Sequence, residues 1–107
     1  MTYLRTTVAE WDIDLDSAEA EALIQGIASE GLRVFRSQPG FIDYRLMKAA
    51  ARTTIAVAEW ESVEMGKKGA QRYRDWMQSS GIMQHITLRT YDGDILVTSH
   101  PGSVDGQ

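Results

Sequence analysis

The tetrapeptide Val-Ala-Glu-Trp occurs twice in this chain, at residues 8–11 and again at 57–60, an offset of 57 − 8 = 49 residues. Each copy closes a stretch suited to a β-strand. Thr2 to Asp12 is rich in Thr, Val, Tyr and Trp, and Thr53 to Trp60 has the same character. Each copy is followed by a helical pattern. After the first, Asp16 with Glu19 three residues on forms a capping box. Ile24, Ile27, Ala28, Gly31, Leu32 and Phe35 then fall on one helical stripe. Ser37-Gln-Pro-Gly40 ends that helix, because Pro39 disfavours helical geometry at Gln38 and Gly40 allows a sharp turn. After the second copy, Ser62 caps a helix that runs to about Ser79. Gly66, Ala70, Tyr73 and Met77 lie down one side of it, with Trp76 beside them, and Ser79-Ser-Gly81 closes it.

The remaining segments complete the two halves. Phe41 to Lys48 alternates Ile42, Tyr44 and Leu46 with polar neighbours, the period of a strand, and a turn over 49–52 leads into Thr53. Met83 to Tyr91 reads as a fourth strand, Asp92-Gly93 as a tight turn, and Ile95 to Ser99 as a returning extension. The order β-α-β-β-α-β with a repeat predicts an α+β, ferredoxin-like domain, an antiparallel sheet with two helices on one face. It spans residues 1–99, and 100–107 form a loose tail. The first and third strands are expected side by side and parallel at the centre, with the two tetrapeptides as neighbours. Glu10 and Glu59 then share one face, and Trp11 and Trp60 the other.

The third strand is apolar on both faces, with Ile55 and Val57 on one side and Ala56, Ala58 and Trp60 on the other. The small alanines suit the side under the helices. The other side is most simply covered by the sheet of a second subunit, in a symmetric homodimer forming a dimeric α/β barrel.

Composition removes several classes of function. A chain of 107 residues is one domain, and 43% hydrophobic residues suffice for a core. There is no cysteine, hence no disulfide, thiolate nucleophile or cysteine metal site. A net charge of −4 opposes nucleic-acid binding. The basic cluster Lys67, Lys68, Arg72 and Arg74 spreads around the outer side of a helix and reads as a solvated face. Nothing resembles a signal peptide, and no apolar run reaches the ~20 residues of a membrane span, so a cytoplasmic protein without a membrane partner is expected. The only histidines are His85 and His100, on a predicted strand and in the tail, so no metal site is expected. Asp12, Asp14 and Asp16 alternate in a loop, where solvation and capping account for them. Phosphate loops and nucleophile elbows are absent.

The Gln38-Pro-Gly-Phe41 turn, the strand ending Glu59-Trp-Glu-Ser62, the helix after it and the element order resemble the antibiotic biosynthesis monooxygenase family of dimeric α/β barrels, over about residues 3–91. That resemblance implies cofactor-independent oxygenases acting on polycyclic phenols or quinols, haem-degrading enzymes, or proteins without a known reaction. The haem-degrading branch carries an Asn on the first strand, a Trp in the second helix and a His about three turns on. Here the strand lacks Asn, and Gly69 and Ser79 stand at the other two positions. Haem degradation is not expected.

What remains is a pocket between helices and sheet. Trp60, Tyr73, Trp76 and Trp11 would supply flat walls for a small aromatic molecule, although each is equally explained as core packing. A cofactor-free oxygenase, using neither metal nor flavin, needs a substrate that supplies electrons after losing a proton. His85 is the side chain suited to be the base near neutral pH, and Arg45, Arg72 or Tyr73 could hydrogen-bond the anion. His85 also alternates with Thr87, Arg89 and Tyr91, a pattern equally expected of an exposed strand face. The expected function is a monooxygenase-like protein acting on a phenol or quinol. The alternative is a non-catalytic, dimeric small-molecule-binding or stress-response protein with the same pocket.

Overall fold

The first tetrapeptide ends β1, Tyr3–Trp11, and the second ends β3, Thr53–Trp60. In the computed structural model, which describes residues 2–99, these two strands are neighbours at the centre of a four-stranded sheet of order β2-β3-β1-β4. The edge strands are β2, Phe41–Ala50, and β4, Ile86–Asp94. Contrary to the parallel pairing expected, β1 and β3 run antiparallel, with Tyr3 opposite Trp60 and Val8 opposite Ile55. The two tetrapeptides therefore lie at opposite ends of the sheet rather than side by side. The reason is topological. One helical crossover returns the chain parallel to β1 in β2, and the turn at Ala51 and Arg52 reverses it into β3.

The first helical layer is α1, Ala18–Gly26, a π-helical turn over Ile27–Gly31, and α2, Leu32–Arg36, in one unbroken right-handed run. Its N-cap is Ser17, whose hydroxyl accepts from the Ala20 amide, and not Asp16. Asp14 receives the Asp16 amide instead, and Asp16 pairs with Lys48 at 2.9 Å. The second layer is α3, Val63–Ser79, capped as expected by Ser62, which accepts from the Met65 amide. Among the described residues, no helix is long and apolar enough to cross a membrane.

The fourth strand differs from the sequence reading at both ends. Ile82–Gln84 form a 3-10 turn, His85 is a bend, and the strand starts only at Ile86. Asp92-Gly93 is not a turn. The pair continues the ladder, with Gly93 opposite Leu4 and Asp94 opposite Tyr3, and the Asp92 carboxylate accepts from Tyr3 and Arg5. Residues 95–99 form no strand. The tail from His100 onward lies outside the described residues.

Alternation places Tyr3, Ala9 and Trp11 of β1 and Thr54, Ala58 and Trp60 of β3 in the buried layer under the helices, the face expected from the alanines. Two core clusters result. One gathers Trp11, Ala9, Leu15, Ala20, Ile27 and Ile82, and the other gathers Trp60, Tyr3, Phe35, Ala58 and Tyr73. The repeat thus supplies one indole to each half of the core. The opposite sheet face carries Val8, Ile55, Val57 and Met47, with Met47 56% and Tyr91 61% exposed.

Candidate functional site

A cavity of about 80 Å³ lies between the sheet and the two helical layers. Its floor comes from the central strands, through Arg5, Thr7 and Ala9 of β1 and Ala56, Ala58 and Trp60 of β3. Alanines at 56 and 58 explain why space survives there, since larger side chains would fill it. Its roof is α3, which contributes Ala70, Tyr73, Arg74 and Met77, the i, i+3, i+4, i+7 face of one helix.

Trp60 anchors this wall because α3 is glycine-bearing where it crosses the indole. A Cβ on Gly66 would stand 3.2 Å from Cδ1 of Trp60, and one on Gly69 would lie 2.8 Å from Cζ2 and overlap the rest of the benzo edge. The helix can lie flat on the ring only without those side chains. Gly69 is the position where the haem-degrading pattern has a Trp, and here that space belongs to Trp60.

An aromatic group surrounds the indole. Phe35 stacks on Tyr73 with centroids 4.0 Å apart and approaches Tyr44 at 4.6 Å, and Phe41 meets Trp60 edge-on at 5.4 Å. Phe35 and Tyr44 line the cavity, although sequence reasoning did not single them out as site residues. Their signals were present, as the last member of the first helical stripe and as an alternating residue of β2. Neither pattern distinguishes a cavity wall from a filled core.

The expected site residues separate in space. Trp60 and Tyr73 face the cavity, together with Trp11. Trp76 is outside its lining. Its ring packs on Tyr73 at 5.4 Å, close over Gly31, and its indole N–H points to Glu30 at 3.4 Å. Arg72 is exposed on the outer side of α3. Arg45 lies on the open sheet face, paired with Asp43 at 3.2 Å. His85 also stands outside the lining. Its Nδ1 is 2.9 Å from Asp12 and its Nε2 3.5 Å from Glu19. These two carboxylates sit at opposite edges of the ring, so the three groups do not converge on one ion. No group of three or more metal-ligating side chains was found among the described residues.

The two tryptophans differ in their polar ends. Trp11 Nε1 donates to the Thr54 hydroxyl at 3.0 Å, whereas the Trp60 indole N–H is buried without a partner. The Tyr73 hydroxyl is likewise buried, with the Tyr44 hydroxyl as its polar neighbour. Burial, then the neighbouring Tyr44, pushes the Tyr73 phenol well above its ordinary range, and burial raises Tyr44 as well. Both phenols are therefore neutral. Buried donors without partners are uncommon in native proteins and suit a ligand acceptor.

This layout, two helical layers on one face of a four-stranded antiparallel sheet with a small cavity between them, is a ferredoxin-like α+β fold. The chain is similar in structure to SnoaB of Streptomyces nogalater, a cofactor-independent oxygenase, with a TM-score of 0.71 over 92% of this chain and 96% of that one at 11% identity. A candidate antibiotic biosynthesis monooxygenase from Nitrosomonas europaea superposes with a TM-score of 0.68 over 89% and 90% of the two chains, also at 11% identity. A dimeric ferredoxin-like protein from an uncultured marine organism matches at 0.68 over 92% and 97%, with 14% identity. At these identities the likeness is one of fold. No protein-family model matches the sequence, and no curated protein matches it.

Proposed function

We propose that this protein is a monooxygenase-like enzyme that oxidises a small phenol or quinol-type molecule with dioxygen, without metal or flavin. The observation that carries the reading is the aromatic cavity at Trp60 and Tyr73 with the buried, unpartnered indole N–H of Trp60. A phenolate or enolate held there supplies the electrons. For a ring-activated CH2, one oxygen atom enters as a carbonyl and the other leaves as water with the two hydrogens of that carbon. Trp60 and Tyr73 would hydrogen-bond the anion, and the aromatic walls would orient it and exclude water. The resemblance in fold to SnoaB, itself a cofactor-independent oxygenase, supports the reading.

Size restricts the substrate. An apolar cavity of about 150 Å³ admits benzene, so about 80 Å³ accepts even a single ring only after a side chain moves. Met77 in the roof is the adaptable one, being unbranched and half-buried.

The subunit arrangement proposed with this function is a homodimer through the open sheet face, supported by its apolar residues and by the dimeric ferredoxin-like relatives in structure. A non-catalytic binding protein is the second reading. It is favoured by one observation, that no carboxylate or imidazole lines the cavity to take the substrate proton. Oxygen uptake with a panel of single-ring quinols and phenols separates the two. Turnover that falls at least tenfold in Tyr73→Phe supports the enzyme. Ligand-induced rises in melting temperature without oxygen consumption across the panel support the binder.

A further inference from the structure

The cavity is one-sided in charge. Its lining includes Arg5 and Arg74 and no Asp or Glu, although acidic residues outnumber basic ones by 15 to 11 in the chain as a whole. Its hydrogen-bonding groups lean the same way. The Trp60 indole is buried without a partner and can only donate. The Thr54 hydroxyl already accepts from Trp11. Arg5 gives Nη1 to Asp92 at 3.3 Å and also reaches the Tyr3 hydroxyl, which still leaves part of the five N–H donors of a guanidinium unspent. Arg74 has no ion pair among the described residues. A site built of donors selects a ligand rich in acceptors.

At the Trp60 end of the sheet the two kinds of group lie over different strands. Phe35 of α2, Tyr44 of β2 and Trp60 of β3 form the aromatic half, over β2 and β3. Arg5 lies on β1, opposite Asp92 of β4, and the next inward pair is Thr7 opposite Thr90. Arg74 follows Tyr73 on α3. Over β1 and β4 the polar groups are thus Arg5, Thr7 and Thr90, toward the end of the sheet where Trp60 lies, and beyond them the lining turns apolar at Trp11, Ile86 and Leu88.

We propose that the cavity takes an aromatic carboxylate, its ring among Phe35, Tyr44 and Trp60 and its carboxylate toward Arg5 and Arg74. A carboxylate matches the guanidinium fork and adds less bulk than a phosphate or sulfonate to a ring that already needs a side chain such as Met77 to move. The assignment rests on the cavity being a ligand site, as in the function proposed above, but not on turnover.

The test compares benzoate with benzamide, nearly equal in shape and different in charge, on the full-length protein by calorimetry. Benzoate is expected to bind at least tenfold tighter at low salt, with an advantage that shrinks as salt rises. Arg74→Gln, at an exposed position that leaves the fold intact, is expected to remove most of the advantage, and Arg5→Gln to do the same where its melting curve shows a folded protein. Equal affinities for the two probes would overturn the proposal, as would an advantage that survives in Arg74→Gln. Absence of binding by both probes would overturn it together with the cavity as a ligand site. A benzoate preference without oxygen uptake on 2,5-dihydroxybenzoate, a quinol that carries the acid, would remove the oxygenase and leave the anion site standing.

Discussion

Gly69 of α3 lies on the benzo edge of Trp60 so closely that a Cβ at that position would overlap the ring. Trp60 is fully buried and cannot retreat, since Phe35 and Phe41 stand 5.9 and 5.4 Å from it. Gly69→Ala is therefore expected to destabilise the protein by about 1–3 kcal/mol through overpacking, in spite of alanine's better helix propensity. Gly26→Ala is the control. Its Cβ meets nothing within 4 Å in a right-handed helical backbone, so a gain of about 0.5–1 kcal/mol is expected. Urea denaturation of the two variants checks both signs.

The indole of Trp11 and the hydroxyl of Thr54 form a buried pair joining the two central strands. Removing one partner strands the other away from water. Thr54→Val and Trp11→Phe are each expected to lose about 1–3 kcal/mol from that source, with further loss in Trp11→Phe from missing packing. The double variant should lose less than the sum of the two. Additive losses in a double-mutant cycle would show that the bond contributes nothing.

Tyr73 and Tyr44 carry phenols raised above the ordinary value of 10.0, chiefly by burial. The folded state therefore retains protons that the unfolded chain releases above pH 10. The associated stability is fully present below pH 10 and falls as pH rises toward the raised folded values. Absorbance at 295 nm is expected to show these two phenolates only together with loss of the far-ultraviolet circular dichroism signal. Tyr73→Phe should flatten the alkaline part of the stability curve.

Val57 sits on a central strand in the open sheet face, near Met47, Ile55 and Val8. In a dimer built through this face a lysine there would bury an unpaired charge. Val57→Lys is expected to convert a dimer into a folded monomer in light scattering, and Arg72→Ala, on the outer side of α3, is expected to leave the mass unchanged. A wild-type monomer at tens of micromolar would remove the dimer.

His85 is held between Asp12 and Glu19 at the partly exposed end of the sheet, outside the cavity lining. Its loss is expected to cost about 0.2–1 kcal/mol, the range of partly exposed ion pairs, and to leave binding in the cavity intact. Turnover lost in His85→Ala at unchanged melting temperature would restore it as a base acting through a relayed proton.

Much of this fold was legible because its signals are local. The alternation in β3 put Ala56, Ala58 and Trp60 on one face, the small size of the alanines pointed to that face as the helix side, and Ser62 announced the start of α3. Local signals also misled. Asp92-Gly93 has the composition of a hairpin turn, yet the β1 edge offered ladder partners as far as Tyr3, and pairing overrode turn propensity. His85 continued the alternation of β4 in sequence, but the 3-10 turn at Ile82–Gln84 brings the chain into the strand one residue too late for it.

The repeated Val-Ala-Glu-Trp determined from sequence alone that two similar halves exist and that Trp11 and Trp60 share one sheet face with Glu10 and Glu59 on the other. Periodicity records only which side of a strand is apolar, so it could do no more. The antiparallel course of β1 and β3 was decided by chain reversal across the whole domain, and it sent the two tryptophans to opposite ends of the sheet. Which of them keeps an unpartnered N–H was decided by a neighbour 43 residues away, Thr54 beside Trp11. The cavity beside Trp60 likewise comes from contact between distant residues, where Gly66 and Gly69 admit the ring and Ala56 and Ala58 leave the space next to it.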